Sequence, residues 1–426
     1  MLKLIVQHSP KLLAFLCGLH LRLSKPQLQH VIRIADALIV SEVRHKTIAG
    51  LYRLLVDTPD ASNGADSLRI SPWTADDLRA PIRCFTVTDL VAYATKIHEW
   101  TLYVSLDDSL GEKDKGTRHL EAVEYHHDHS QSRGKKNPRY TNGTVHVEVR
   151  LELGARSYAY DWRLYLREKT VRRLNRQRTP EQRLRFRKKT SLARDMLEGL
   201  QQLLPAGFQV YVLFDSWYAS NRLLQWCRRQ GWHVICAIKS NRKLGDKQLT
   251  AWPQALRHQR YQRVLLTATD GRQRTYLVRT LQGKLNKLPF AVCVLISQRH
   301  HRDKRPKYFL CTDLSLSAPE ILPIYQKRWP IEVDNFYVKQ QLGLADFRVQ
   351  SYEATEKWFA IVFVALAFLQ WRLNHAPPEE RLHSLADVVR QQRYEHARTL
   401  LETACQEAAK LTDYLPVFKR FLCQPT

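Results

Sequence analysis

Tyr211-Val212-Leu213-Phe214-Asp215-Ser216-Trp217-Tyr218 is the stretch on which the reading of the fold turns. It is an apolar run that stops at an acid, with a helical pattern from Tyr218 to Arg229 behind it. Phe208 to Phe214 reads as a buried strand entering a helix. The same alternation surrounds it: Leu192 to Leu204 reads as an amphipathic helix, and His233 to Ile238 as another strand. Upstream, Leu102–Leu106, Val145–Leu153 and Ser157–Leu166 read as a β-meander. Strands interleaved with helices give an α/β sheet.

Further out the pattern changes. Residues 240–313 form a β-rich insertion: Val264–Ala268 and Thr275–Thr280 flank an Asp270-Gly271 hairpin signal, and Phe290–Ser297 and Tyr308–Thr312 make a second pair. Ser317-Ala318-Pro319-Glu320 is a capping-box start opening a helical region to about Leu342. Pro377-Pro378 separates an apolar helix from a helical segment at 384–412. Residues 1 to about 60 have helical spacing (Leu28, Val31, Ile32, Ala35, Ile39), which fits either a DNA-binding head or a packing bundle. Ala61-Ser62-Asn63-Gly64-Ala65 reads as a linker, and Thr74-Ala75-Asp76-Asp77 and Thr86-Val87-Thr88-Asp89 as helix starts.

The 426 residues carry 67 Lys plus Arg against 41 Asp plus Glu, a formal charge of +26. With 44% apolar residues this is a folded protein drawn to polyanions, nucleic acid first. Its eight cysteines show no C-x-x-C or zinc-finger spacing, which fits a reduced cytoplasm. The apolar run Trp358–Leu369 is shorter than the roughly 20 residues of a membrane span, so no membrane partner is expected.

Three acidic positions stand out. Asp107 and Asp108 end the first strand, Asp215 ends the strand quoted above, and Glu332 lies in the helix after the insertion. Ligands of α/β sheets collect past the carboxyl ends of strands. Two aspartates and a glutamate there would suit Mg²⁺, and two ions about 3.5–4 Å apart can activate a water or 3′-hydroxyl and stabilise a leaving oxygen. The plain alternatives are that Asp215 or Ser216 is an N-cap and Glu332 a solvated helix residue. The neighbourhood favours Glu332: offsets of 3, 7 and 14 place Tyr325, Arg328, Glu332 and Lys339 within about 60° on an ideal helix, although Pro323 and Pro330 imply a kink or a start near Pro330.

The spacing Y-(2)-R-(3)-E-(6)-K at Tyr325, Arg328, Glu332 and Lys339 resembles the signature of bacterial DDE transposases of the insertion sequence 4 superfamily, including the 701 group. Leu106-Asp107-Asp108-Ser109 resembles that family's first motif, and Phe214-Asp215-Ser216-Trp217-Tyr218 its second. The similarity runs in order over about residues 100–370. It implies an α/β, ribonuclease-H-like catalytic domain over 96–376, with the insertion at 240–313 explaining the 117 residues between Asp215 and Glu332. A helical DNA-binding region at 1–95 and a helical segment at 377–426 would flank it.

By the same resemblance Asp107, Asp215 and Glu332 would be the catalytic, metal-binding triad for two Mg²⁺, with Mn²⁺ able to substitute. Asp107 is preferred because the family's motif reads D-x-S/T, with Asp108 as the alternative. Tyr325, Arg328 and Lys339 would contact transposon-end phosphates. The implied partner is double-stranded DNA, both ends and target, held by a homodimer; the implied place is the bacterial cytoplasm, on the nucleoid. The rival reading is an inactive or domesticated transposase-derived DNA-binding protein.

Three further features bear on DNA. Between Asp161 and Thr190 there are 12 Lys plus Arg against 3 Asp plus Glu, ending in Arg185, Arg187, Lys188 and Lys189, a candidate backbone-binding surface. Trp217 could stack on an unpaired base or pack in the core. Tyr125-His126-His127-Asp128-His129 looks like a metal cluster, but neighbours on a strand face opposite ways, so a polar loop or substrate-contacting edge is expected.

Overall fold

The computed structural model describes residues 2–57, 60–128, 139–267, 271–301, 303, 305–411 and 414–422. At its centre is one mixed sheet of ten strands, making the chain a mixed α/β protein. β1 (Thr101–Glu112), β2 (Glu124–Asp128), β3 (Arg139–Leu153) and β4 (Arg156–Tyr165) form the antiparallel part, while β5 (Gln209–Phe214) and β6 (His233–Ile238) run parallel to β1. β7 (Lys243–Leu244) and β8 (Lys247–Gln248) pair only with each other. β9 (Gln262–Thr267), β10 (Gln273–Lys284), β11 (Ala291–Gln298) and β12 (Lys307–Cys311) complete the order β2-β3-β1-β5-β6-β12-β11-β10-β9, with β4 on β3. The insertion therefore extends the central sheet through β12 against β6. Its first hairpin pairs as expected, though Asp270 lies outside the described residues.

The helices are α1 (Pro10–Gly18), α2 (Lys25–Val40), α3 (Ile48–Tyr52), α4 (Ala61–Arg69), α5 (Asp76–Ile97), α6 (Glu168–Leu174), α7 (Lys189–Leu203), α8 (Asn221–Arg229), α9 (Trp252–Ala255), α10 (Ala318–Gln326), α11 (Pro330–Phe336), α12 (Tyr352–Asn374), α13 (Leu385–Ala408) and α14 (Leu415–Phe421). One sheet face packs Leu102, Val104, Leu106 and Phe214 against α5, α7 and α8. The other packs Tyr211 and Leu213 against Ile321 and Leu322 of α10. β5 is buried on both faces, which is why its sequence is a continuous apolar run.

The two terminal helical regions share one core with α12: Val31, Ile34 and Leu38 of α2, Phe363 and Leu366 of α12, and Val388 of α13 belong to a single cluster. A buried ionic clamp ties the ends together, with Asp36 pairing with His8 at 2.9 Å and His396 at 3.0 Å. α12 is long and apolar enough to cross a membrane by length and composition, and 89% of its most apolar window is buried against protein. It is the axle of this core.

Three expectations are corrected. The supposed linker at 61–65 is the start of α4: Asp60 accepts from the Ser62 N–H at 2.8 Å, and Gly64 is needed because a Cβ there would lie 2.5 Å from the Tyr52 ring. Thr86–Asp89 lies inside α5, where Asp89 binds Arg156 and Tyr158 rather than capping a helix. β1 does not end at Asp107 but continues to Glu112 against β3; only its parallel pairing with β5 ends at Leu106. The helical region after residue 317 breaks where its prolines imply: α10 stops at Gln326 and α11 begins at Pro330, whose missing N–H suits a first turn.

Candidate active site

Leu106 of β1 and Phe214 of β5 are register partners, so Asp107 and Asp215 each follow the last residue of the parallel pair. Side chains alternate along β1. Leu102, Val104 and Leu106 enter the core beneath α7 and α8, which leaves Tyr103, Ser105 and Asp107 on the opposite face. That face meets α10 and α11: Ser105 Oγ donates to the Lys327 carbonyl at 3.4 Å, and Arg328 Nη1 donates to Asp107 Oδ2 at 2.9 Å. The other arm of Arg328, Nη2, donates to Glu332 Oε1 at 2.5 Å. One guanidinium thus joins the first acid to the third.

Asp108 faces the other way. The hydroxyl of the fully buried Tyr218 donates to its Oδ1 at 3.0 Å, and Lys189 Nζ to its Oδ2 at 2.5 Å. Asp107, by contrast, uses Oδ1 only to accept the Asp108 N–H at 2.9 Å. Asp215 is not the N-cap of α8; Ser220 is, with Oγ accepting from the Leu223 N–H. Asp215 instead accepts from the Trp217 N–H at 2.8 Å, a local turn that holds its carboxylate at the strand end.

Burial raises the Asp107 carboxyl to a pKa of about 6, against the opposing charge of Arg328 and with Asp108 and Asp215 adding to the rise. Burial alone would lower Arg328, but Tyr325, Asp107 and Glu332 outweigh it and hold the guanidinium firmly charged. Burial likewise pushes the Tyr325 hydroxyl up to about 12.

A cavity of about 1010 Å³ opens over Asp107, Asp108 and Asp215, with Lys189, Lys239, Lys339 and Arg167 on its walls. Lys339 reaches it from the widened turn Tyr337–Gln341 that follows α11. Tyr325, Arg328 and Trp329 line a second cavity of about 470 Å³, between α10 and the insertion strands, with Tyr276, Arg274 and Lys307. The signature therefore lies on a broken helix, with Tyr325 and Arg328 lining the smaller cavity, Lys339 the larger one, and Glu332 held by Arg328.

Trp217 is 43% exposed at the mouth of the larger cavity, 5.2 Å from Lys189 Nζ, so it is not a core residue. His126 and His127 both line that cavity from β2, an edge rather than a metal cluster; His129 lies outside the described residues. The basic segment divides: Arg187 pairs with Asp195 and Lys189 with Asp108, whereas Arg185 and Lys188 are exposed. Among the described residues no three His, Cys, Asp or Glu side chains are grouped to hold a metal ion, and Arg328 stands between Asp107 and Glu332.

Residue types nonetheless fit a hard divalent cation. Asp107, Asp215 and Glu332 offer only oxygen, and a single cation, the guanidinium, already spans two of them. The contact of Tyr218 with Asp108 and the burial of Glu148 and His146 beside Asp107 are not legible in the sequence. Tyr218 was hidden in an apparent helix, and the other two in an alternating strand pattern that normally means a solvated face.

Residues 185–368 match the family described as transposase DDE domain, less than half of the chain. The matched stretch contains Asp215, Glu332 and the whole Tyr325–Lys339 signature, and begins after Asp107. It supports a DDE transposase. No curated protein matches the chain.

Proposed function

We propose that this chain is a DDE transposase of the insertion sequence 4 superfamily with a ribonuclease-H-like core, acting on DNA in the bacterial cytoplasm. The observation that carries this reading is the placement of Asp107 and Asp215 directly after the last paired residues of the parallel strands β1 and β5, on the wall of a lysine-lined cavity, with Glu332 linked to Asp107 through Arg328. Asp107, Asp215 and Glu332 would hold two Mg²⁺, or Mn²⁺, which supply activation of the attacking hydroxyl and stabilisation of the leaving oxygen.

The chain's own residues do the rest. Lys339, Lys239 and Lys189 set a positive wall for the phosphodiester backbone. Tyr218 and Lys189 engage both oxygens of Asp108, whereas Asp107 meets only the Asp108 N–H and Arg328, which favours Asp107 as the ligand. Arg328, released from Asp107 and Glu332, is placed to meet a phosphate, and Trp217 offers an exposed ring to an unstacked base. On this reading a homodimer binds the terminal inverted repeats, cuts, and joins the freed 3′-hydroxyl to target DNA.

Glu332→Gln tests it. The variant should retain a gel-shifted complex with end DNA and lose Mg²⁺-dependent nicking. Retained cleavage would sink the assignment of Glu332, and a wild-type chain that shifts DNA without ever cutting it would favour a DNA-binding derivative instead.

A further inference from the structure

The polar side of β3 is left unused by the chemistry above. His146, Glu148, Arg150 and Glu152 alternate with Val147, Val149 and Leu151, and so share the sheet face on which Asp107 stands. Glu148 is the register partner of Asp107, and His146 of Ser109. Polar faces of this kind ordinarily meet water. Here His146 and Glu148 are both 0% exposed.

Among the described residues no hydrogen bond of normal geometry reaches either carboxylate oxygen of Glu148 or either ring nitrogen of His146; their own closest approach is a loose 3.7 Å contact between Nε2 and Oε2. His146 lies edge-on to Phe359 and Phe363 of α12, with ring centres 5.9 and 5.8 Å away. Asn335 of α11 acts on the same ring, and its own carbonyl oxygen is buried and unpaired. One residue earlier, Asp334 accepts from Arg150 Nε and from Gln370 Nε2, each at 3.0 Å.

Buried polar atoms without partners destabilise a fold, and an apolar side chain of similar volume would fill the same space without that penalty. Position supplies the compensation. The patch adjoins the strand pair that carries Asp107, and through Asp334 and Asn335 it adjoins the helix that carries Glu332, two and three residues before them. We propose that Glu148 and His146 are positioning residues, a buried polar shelf that sets the spacing between Asp107 and α11, the gap that Arg328 spans here and that divalent cations would have to bridge once it leaves. The shelf keeps α11 from settling onto β3, while the Arg150 to Asp334 bond fixes it sideways. This rests on the metal-dependent reading above.

The test compares Glu148→Leu and Glu148→Gln in the full chain, by thermal unfolding and by Mn²⁺ titration followed by electron paramagnetic resonance. Glu148→Leu should raise the melting temperature and weaken Mn²⁺ binding roughly tenfold or more, the range seen when groups behind a metal ligand are removed. Glu148→Gln, which keeps shape and polarity, should stay near wild type in Mn²⁺ affinity. A Leu variant that melts lower, fails to fold, or binds Mn²⁺ as wild type does overturns the proposal. If wild type itself binds no Mn²⁺ that Asp107→Asn abolishes, the reading of the site falls and takes this inference with it; a failure at Glu148 alone leaves that reading standing.

Discussion

Arg328 Nη1 lies 2.9 Å from Asp107 Oδ2, a contact across 221 residues of chain, and its second arm holds Glu332. The guanidinium occupies one oxygen of each of the two carboxylates that a divalent cation would need. Arg328→Ala should therefore tighten Mn²⁺ binding in the absence of DNA, on the order of tenfold for one removed charge at a partly screened site, and weaken binding of end DNA. Isothermal titration with each ligand checks both halves. Weaker Mn²⁺ binding would mean that Arg328 builds the site rather than guarding it.

Asp107 and Asp108 are neighbours with different surroundings, and their amide variants should separate cleanly. Asp107→Asn should lower Mg²⁺-dependent nicking by a thousandfold or more, on the order of several kcal/mol of lost transition-state stabilisation. Asp108→Asn, whose carboxylate is engaged by Tyr218 and Lys189, should lose far less. Equal losses in single-turnover cleavage would contradict the face assignment.

The raised pKa of Asp107 predicts a pH dependence of stability in the metal-free protein. The folded chain keeps this proton up to about pH 6, whereas the unfolded chain releases it near 3.8. Folding takes up protons in that window, so this group's contribution to stability falls as pH rises through it and stays lost above pH 6. The melting-temperature gain of Asp107→Asn over wild type should be near zero at pH 4, grow through pH 6 and level off. A gain independent of pH would refute it.

Gly143 pairs across β3 with Glu112 of β1, and a Cβ there would meet the Gly111 carbonyl oxygen at 2.2 Å. The obstacle is backbone, which cannot swing away. Gly143→Ala should cost about 1–3 kcal/mol in chemical unfolding, as overpacking does. A neutral result would show that the two strands part more easily than their ladder implies.

In the basic segment, exposure should decide function. Arg185→Ala and Lys188→Ala should each lower the salt slope of duplex binding by roughly 0.9 if they meet one phosphate apiece. Arg187→Ala, whose guanidinium pairs with Asp195, should leave the slope nearer to wild type. Slopes unchanged in the first two variants would move the DNA path elsewhere.

The α/β class, most strands and the capping box at Ser317 are legible in the sequence because each has a local cause: an apolar run buried on both faces, a period of two, a cap. The linker at 61–65 was misread because Gly64 looked like a breaker, while its small size answers to Tyr52, a neighbour only in the folded chain. The helix start at Pro330 is legible for a local reason, the proline itself.

What the amino-acid order determined alone is the inventory: a +26 chain able to build a sheet, with acids at the ends of two strands and in a later helix. Tertiary structure alone decided which of Asp107 and Asp108 faces Arg328, that Glu332 reaches Asp107 through that arginine, and that the alternating polar residues of β3 lie under α11 and α12 instead of in water. The physical reason is the same in each case. Strand alternation assigns residues to two faces but does not say what covers either face, and the covering helices come from more than 170 residues away in the chain.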